Sequence, residues 1–169
     1  LMLVPLFVET MHKKIWDGAR KSGKTGLLKT MMAVSNGLRK VGIDVRRKLF
    51  KSILEPFGGK LEMIICGGAK LDEEIIRTFD AIGITIMNGY GITECAPLIS
   101  CNRNLYQKAG SVGLPIFDLR VRIDNPDANG EGEICVKGPN VMLGYFNNPE
   151  ATAEVFDKDD FFHTGDYGR

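Results

Sequence analysis

Residues 61–87 read LEMIICGGAKLDEEIIRTFDAIGITIM, and this stretch predicts the fold class. Residues 61–66 form a short apolar run bounded by glycines, which is typical of a buried strand. Residues 71–82 place apolar side chains at helical spacing, with acidic side chains in the first turn, where the helix dipole favours negative charge. Residues 84–87 are a second apolar run. A strand, a helix and a strand in this order predict a parallel βαβ unit and therefore an α/β fold.

Helices are predicted ahead of this unit, over residues 1–60. Pro5 suits the first turn of a helix, and the apolar residues that follow it recur at helical spacing. Residues 27–41 show the same spacing and predict a second helix. Asp44 is a suitable N-cap for a third helix. The buried stripe predicted for that third helix consists of Val45, Leu49 and Ile53.

Antiparallel strands are predicted after the βαβ unit. Residues 119–124 and 133–137 alternate between apolar and polar side chains, and the turn-forming residues 125–132 separate them, as in a β-hairpin. The predicted organisation is therefore an α/β portion over residues 1–110 and an antiparallel β-rich portion over residues 111–169.

The charge of the chain excludes several classes of partner. Among 169 residues, 22 are basic and 21 acidic, so the net charge of +1 creates no long-range field for nucleic acid. A cluster of basic residues within 39–51 is interpreted as a solvated helix face. Residues 1–8 are apolar but too few for a transmembrane segment, and they lack the basic leader of a signal peptide. Peripheral contact with a membrane stays open.

The cysteine pattern disfavours a zinc site. The four cysteines form no CxxC pair, and both histidines lie far from them along the sequence. Four reduced thiols in a cytoplasmic protein are the preferred interpretation. The cysteines are Cys66, Cys95, Cys101 and Cys135.

Residues 18–25, GARKSGKT, match the P-loop pattern G-x-x-x-x-G-K-[ST]. A working P-loop follows a buried strand, so that its backbone N–H groups point at phosphate. Here residues 13–17 continue a helical pattern, and no apolar strand ending in Asp follows to hold magnesium. A basic turn between two helices is the preferred interpretation, and a P-loop NTPase is the alternative hypothesis.

Residues 88–94, NGYGITE, directly follow the second predicted strand of the βαβ unit. Ligands of open α/β sheets bind at such strand ends. Gly89 and Gly91 permit unusual backbone angles and the close approach of another backbone. This stretch is therefore a candidate ligand-binding loop, with a simple glycine-rich turn as the structural alternative.

Side chains of this loop suit a nucleotide. Tyr90 offers a flat face to a purine ring, and Thr93 can donate a hydrogen bond to a phosphate oxygen. Glu94 can hold magnesium directly or through water, because that cation prefers oxygen ligands. A buried Tyr beside a capping Thr would explain the same residues without any ligand.

Glycine-rich segments at two other places extend the pattern. Residues 66–71, CGGAKL, end the first predicted strand, and Gly67 and Gly68 would let a ring lie against the backbone. Residues 162–169, FHTGDYGR, include a predicted turn at Thr-Gly-Asp, residues 164–166. In that turn Asp166 could accept two hydrogen bonds from ribose hydroxyls, each worth about 1.5–3 kcal/mol.

The three motifs, in this order, resemble the adenylate-forming superfamily of acyl-CoA synthetases, firefly luciferase and peptide-synthetase adenylation domains. Residues 110–115, 130–139 and 141–152 are also similar to family sequence, so the resemblance covers residues 61–169. Peptide-synthetase domains usually have Pro where Ile92 stands. The sequence is therefore most similar to acyl-CoA synthetases, and within them to long-chain fatty acid–CoA ligases.

This resemblance implies roles for the motif residues. Thr93 and Glu94 are the implied catalytic residues, and Glu94 is the implied magnesium ligand. The turn at residues 67–69 would line the adenine pocket, Tyr90 would stack on adenine and Asp166 would bind the ribose. The implied nucleotide-binding residues are Gly67, Gly68, Ala69, Asn88, Gly89, Tyr90, Gly91, Thr93 and Asp166.

The resemblance also implies a reaction. A substrate carboxylate attacks the α-phosphate of ATP, pyrophosphate leaves, and the acyl group passes to the thiol of coenzyme A, with Mg²⁺ as cofactor. The phosphate loop and the mobile C-terminal domain of the family lie outside these residues. We therefore expect a fragment of the large N-terminal domain, inactive without the remainder of its own chain. A non-enzymatic interaction module is the third hypothesis.

Overall fold

The computed structural model describes residues 1–103 and 107–169. Its helices are α1 (Pro5–Lys21), α2 (Thr25–Lys40), α3 (Arg46–Leu49), α4 (Lys51–Leu54), α5 (Glu73–Ile82) and α6 (Pro149–Val155). Its strands are β1 (Met2–Leu3), β2 (Met63–Cys66), β3 (Thr85–Gly91), β4 (Leu98–Cys101), β5 (Leu114–Pro115), β6 (Arg120–Asp124), β7 (Gly132–Lys137) and β8 (Phe162–Gly168). Short 3-10 helices cover Glu55–Phe57 and Thr93–Cys95. None of the helices in the described ranges is both long enough and apolar enough to cross a membrane.

The described residues group into two compact units. The first unit contains Leu1–Asn88 and Arg103–Ser111, and the second contains Gly89–Asn102 and Val112–Arg169. The border between the units thus lies within β3. A domain boundary at residue 110 stays a prediction about the full-length protein.

The predicted βαβ unit is confirmed in the first unit. β2 pairs in parallel with β3, and Cys66 is the register partner of Asn88. Between them, α5 begins at an N-cap where the carboxylate of Asp72 accepts a hydrogen bond from the backbone N–H of Glu74 at 2.7 Å. The sequence pattern did not indicate β1, which pairs in parallel with β2.

The core of the first unit is formed by apolar side chains of its helices and of β2 and β3. Burying such a side chain fully stabilises the folded chain by about 1.5–3 kcal/mol. The third predicted helix differs from expectation, because it is divided into α3 and α4 at Phe50. As a result Phe50 and Leu54 are buried in the core, whereas the predicted stripe is only partly buried. The fully buried residues include Val8, Phe50, Ile64, Phe79, Ile82 and Ile84.

The basic cluster within residues 39–51 is less solvated than expected. The guanidinium of Arg46 is paired with Asp44 at 2.6 Å and with Asp80 at 3.0 Å, and its side chain is only 18% exposed. Arg47 donates to backbone carbonyls within residues 59–61. These two cations therefore fix the short helices against α5 and against the segment that precedes β2, instead of presenting a free basic surface.

The second unit is built from antiparallel strands, as predicted for the C-terminal portion. In this unit, the last residues of β3, 89–91, pair with β4, and β4 pairs with β5. The predicted hairpin is confirmed as β6 and β7, and β8 adds a third strand to that sheet. The core of this unit is formed by Cys95, Ile99, Leu119, Val136 and Phe162.

Candidate nucleotide-binding site

The first unit contains the glycine turn that follows β2. Gly68 in this turn has a φ of 93° and is exposed, together with Ala69, whereas Gly67 is partly covered. Cys66 is the register partner of Asn88 in the neighbouring parallel strand, so the turn that follows Cys66 lies close to Asn88 at the carboxyl end of β2. The backbone of residues 67–69 carries no long side chain.

The second unit joins two of the predicted motifs through Tyr90 and Asp166. The hydroxyl of Tyr90 donates a hydrogen bond to Oδ2 of Asp166 at 2.7 Å and lies 3.3 Å from Oγ1 of Thr164. Burial raises the pKa of Tyr90, and the hydrogen bond to Asp166 raises it further, so the phenol remains a donor at neutral pH. Asp166 itself is exposed to solvent and can accept further hydrogen bonds.

Asp166 lies in a bulge of β8, not in the simple turn that was predicted. Glu133 of β7 is the register partner of Tyr167, and Cys135 is the register partner of His163. Between these pairs β7 has one residue, whereas β8 has residues 164–166. Bulges of this kind bend a strand and redirect its side chains, often next to active sites. Here the bulge carries the Thr-Gly-Asp motif out of the ladder.

The bulge is held by specific hydrogen bonds. Oγ1 of Thr164 donates to the carbonyl of Ile134 at 2.8 Å and accepts from the backbone N–H of Asp166 at 3.1 Å. The N–H of Gly165 donates to Oε1 of Glu133 at 3.0 Å. Gly165 has a φ of 73°, a conformation that glycine adopts without a steric penalty. The position of Asp166 is therefore determined by neighbours on both strands.

The segment after Tyr90 depends on a close backbone approach. A Cβ built on Gly91 would overlap the carbonyl group of Pro97, so no side chain fits there. Unusual backbone angles were predicted for Gly89 and Gly91, but neither has a positive φ. The predicted close approach of another backbone is observed at Gly91. Nδ2 of Asn140 donates to the carbonyls of Cys95 at 2.7 Å and Leu98 at 2.9 Å, which closes the loop.

Glu94 is oriented by a residue that the motif analysis did not assign. The hydroxyl of Tyr145 donates to Oε1 of Glu94 at 3.1 Å, and the backbone N–H of Met142 donates to the Glu94 carbonyl at 2.7 Å. Burial and this hydrogen bond raise the pKa of Tyr145. Glu94 is half-buried and Thr93 is exposed, and together they present the oxygen ligands that Mg²⁺ prefers. In the sequence, Tyr145 was indicated by its position within residues 141–152, which resemble sequence of the adenylate-forming superfamily.

Residues 18–25, which match the P-loop pattern, contain a turn between α1 and α2, as the preferred interpretation predicted. α1 continues to Lys21 and α2 begins at Thr25, so the residues directly before the turn are helical and no strand delivers it. Its glycine Gly23, with a φ of 67°, makes the left-handed turn between the helices. The backbone geometry that cradles phosphate in a P-loop is therefore missing here.

Comparison with known proteins gives the family. A family model described as AMP-binding enzyme matches residues 1–146. The chain belongs to this family. Long-chain-fatty-acid–CoA ligase 5 of Rattus norvegicus is 33% identical over 178 aligned positions, which cover 96% of this chain and 26% of that protein. The predicted resemblance to adenylate-forming enzymes is thus confirmed.

Solved structures of AMP-binding enzymes support the same fold. A malonyl-CoA ligase, in a ternary product complex with methylmalonyl-CoA and AMP, matches with a TM-score of 0.58 and 30% identity over 72% of this chain and 28% of its own. The O-succinylbenzoate coenzyme A synthetase of Bacillus subtilis, in complex with ATP and magnesium, matches with a TM-score of 0.58 and 27% identity over 70% and 27%. The chain thus spans about a quarter of the length of these relatives.

Proposed function

We propose that the full-length protein is an ATP-dependent acyl-CoA ligase. It transfers the AMP moiety of ATP to a carboxylic acid with release of pyrophosphate, and then transfers the acyl group to the thiol of coenzyme A with release of AMP. The observation that carries this proposal is the hydrogen bond between Tyr90 and Asp166, because it unites two motifs 76 positions apart around one exposed carboxylate. Membership of the AMP-binding enzyme family supports AMP as the nucleotide product.

Asp166 and Tyr90 have the chemistry to hold adenosine. The exposed carboxylate of Asp166 has acceptor capacity beyond the bond from Tyr90, and it would bind the ribose hydroxyls. The hydroxyl of Tyr90 is anchored by its hydrogen bond to Asp166, and the ring of Tyr90 would stack on adenine. The glycine turn at residues 67–69 would offer backbone without long side chains to a purine ring.

Thr93 and Glu94 are proposed to act at the phosphates. The exposed hydroxyl of Thr93 would donate to a phosphate oxygen. The carboxylate of Glu94, oriented by Tyr145, would bind Mg²⁺ directly or through water. When bound, the magnesium ion neutralises charge that develops on the phosphate oxygens.

A long-chain fatty acid is the proposed acid substrate. The support is the 33% identity to the rat long-chain-fatty-acid–CoA ligase over nearly the whole chain. The phosphate loop and the C-terminal domain expected for this family would be supplied by the rest of the protein. We therefore propose that these 169 residues alone form no adenylate.

The test is acid-dependent exchange of pyrophosphate into ATP by the full-length protein. Asp166→Ala and Glu94→Gln should each reduce exchange about a hundredfold or more, as expected when a group that stabilises the transition state is lost. Glu154→Gln, an exposed carboxylate of α6, is the matched control and should exchange normally. Normal exchange in both site variants would refute the assigned roles.

Lys24→Ala separates this proposal from the P-loop alternative. Because Lys24 lies in a turn between α1 and α2, its loss should leave ATP affinity unchanged in calorimetry. Lost ATP binding in Lys24→Ala, with normal binding in Asp166→Ala, would support a P-loop NTPase. A full-length protein that binds no ATP with magnesium would support an interaction module.

A further inference from the structure

Three side chains with metal-binding atoms meet on β7 and β8, apart from the proposed catalytic residues. Glu133 and Cys135 are two residues apart on β7, and His163 of β8 is the register partner of Cys135. The sequence pattern disfavoured zinc because cysteine and histidine are far apart along the chain. Strand pairing removes that objection, since it brings residues 28 positions apart into contact.

The distances suit a single metal ion. Nδ1 of His163 lies 3.5 Å from Sγ of Cys135 and 2.8 Å from Oε2 of Glu133. One ligand atom from each of the three residues lies within 4.8 Å of the others. Zinc bonds of about 2.0–2.3 Å in a tetrahedral arrangement separate ligand atoms by roughly 3.3–3.8 Å. Sγ of Cys135 and Nδ1 of His163 already have this separation, whereas the Glu133 carboxylate must leave its 2.8 Å hydrogen bond with Nδ1 to complete three-residue coordination.

The surroundings also suit a soft divalent cation. Thiolate and imidazole ligands favour zinc over magnesium. Nε2 of His163 lies 3.8 Å from Oδ2 of Asp157, so an Nε2–H tautomer would point at a carboxylate while Nδ1 faces the metal. The nearby cation Arg122 is paired with Asp157 at 2.5 Å and also hydrogen-bonds the side chain of Cys135, where its charge favours the thiolate that a metal requires. A thiolate and a carboxylate would balance the two charges of the ion.

We propose that Glu133, Cys135 and His163 bind Zn²⁺, with a fourth position open to water or an external ligand, and that this zinc weakens ATP binding. The second part rests on the proposed function. Glu133 also accepts the hydrogen bond from Gly165 N–H that holds the bulge of Asp166. Coordination draws the Glu133 carboxylate toward the metal and loosens that bulge. By linkage, bound ATP weakens zinc binding equally.

Cobalt titration of the full-length protein tests the metal site. Co²⁺ should produce thiolate-to-metal charge-transfer absorption and the visible bands of tetrahedral cobalt, and Zn²⁺ should displace them. Cys135→Ser and His163→Gln should lose these bands, whereas Cys101→Ser, which removes a thiol outside the cluster, should keep them. Bands that persist in Cys135→Ser, or no bands in the unmodified protein, would overturn the site.

Glu133→Gln removes the carboxylate ligand but keeps the fold, because its amide carbonyl can still accept the hydrogen bond from the Gly165 N–H. It therefore separates loss of a ligand from loss of folding. It should keep the unfolding temperature of the parent protein but bind Co²⁺ at least about tenfold more weakly, as expected for loss of one ligand. Unchanged cobalt affinity in this variant would exclude Glu133 as a ligand.

ATP affinity then tests the coupling, at free Zn²⁺ fixed by a chelator buffer so that ATP does not itself take up the metal. Zinc should raise the Kd for ATP by about fivefold or more in the parent protein and in Cys101→Ser, but not in Cys135→Ser. Cobalt bands with an unchanged ATP Kd would overturn the coupling alone. Failure of the zinc-free protein to bind ATP in the presence of Mg²⁺ would overturn the proposed function, and the cobalt result would stand.

Discussion

The hydroxyl of Tyr90 lies 2.7 Å from Oδ2 of Asp166, a contact across 76 positions of sequence. Tyr90 comes from the glycine-rich segment at the end of β3, and Asp166 comes from the bulge of β8. Because burial raises the pKa of Tyr90, the phenol keeps its proton and the contact persists at neutral pH. The position of the proposed ribose-binding carboxylate therefore depends on the residue proposed to stack on the base.

Tyr90→Phe should weaken ATP binding while keeping the aromatic ring. Removing the hydroxyl frees the Asp166 carboxylate, at an expected loss of about 1 kcal/mol, or roughly fivefold in Kd. Calorimetry on the full-length protein measures this. Tyr167→Phe removes an exposed hydroxyl beside Asp166 and should bind ATP like the parent. Equal affinity in Tyr90→Phe would show that the contact does not position Asp166.

Gly91→Ala should destabilise the protein. The added methyl group would overlap the carbonyl of Pro97, and moving that backbone should cost about 1–3 kcal/mol or more. Thermal unfolding of the full-length protein measures the effect. Gly37→Ala, in open space on α2, should instead stabilise by about 0.5–1 kcal/mol. A Gly91→Ala protein as stable as its parent would contradict the close approach seen here.

Thr164→Val should loosen the bulge of β8. Valine has nearly the same shape but can neither donate to the Ile134 carbonyl nor accept from the Asp166 N–H, at an expected cost of about 1–3 kcal/mol. Both the unfolding temperature and ATP affinity should fall. Thr164→Ser retains the hydroxyl and should restore most of each. If serine and valine behave alike, the methyl group and not the hydroxyl supports the bulge.

Asp44→Asn should alter how stability depends on pH. Hydrogen bonds from the Arg46 guanidinium lower the pKa of Asp44 from 3.8 to about 2 in the folded chain. A depressed folded-state pKa means that ionised Asp44 stabilises the protein above pH 3.8, and that this contribution is lost as the pH falls toward 2. The difference in unfolding temperature between parent and variant should therefore shrink over that interval.

The control for this pH effect is Asp17→Asn, because Asp17 pairs with the exposed Arg20 on the surface of α1. Exposed pairs of this kind contribute little to stability. Its unfolding temperature should follow that of the parent at every pH. A constant offset for Asp44→Asn across the acidic range would mean that its effect is not electrostatic.

Local patterns were sufficient for most elements. The run of apolar residues 63–66 and the helical spacing in α5 are each set by neighbours in sequence, so β2, α5 and the start of β3 could be predicted. The third helix was predicted as one segment capped by Asp44, but α3 begins after Val45 and the chain breaks at Phe50, which shifts the buried stripe by one position. β1 was not recognised, since a two-residue strand has no period to detect.

The candidate site was predictable in identity more than in arrangement. Motif composition identified Tyr90, Glu94 and Asp166 as chemically suited to a nucleotide. It did not identify Tyr145 as the partner of Glu94, because that contact spans 51 positions. It also gave no hint that β8 carries a bulge, since Thr-Gly-Asp forms an ordinary turn equally well.

Sequence by itself determined the secondary-structure types and the residues available for chemistry, because both depend on short-range periodicity and on side-chain type. Tertiary structure decided which distant groups meet: Tyr90 with Asp166, and Cys135 with His163. Those meetings follow from strand register and from burial of a shared core. Strand pairing and core burial depend on residues far apart in the sequence, so a short segment by itself does not reveal its partners. The same segment would pair differently in a different fold.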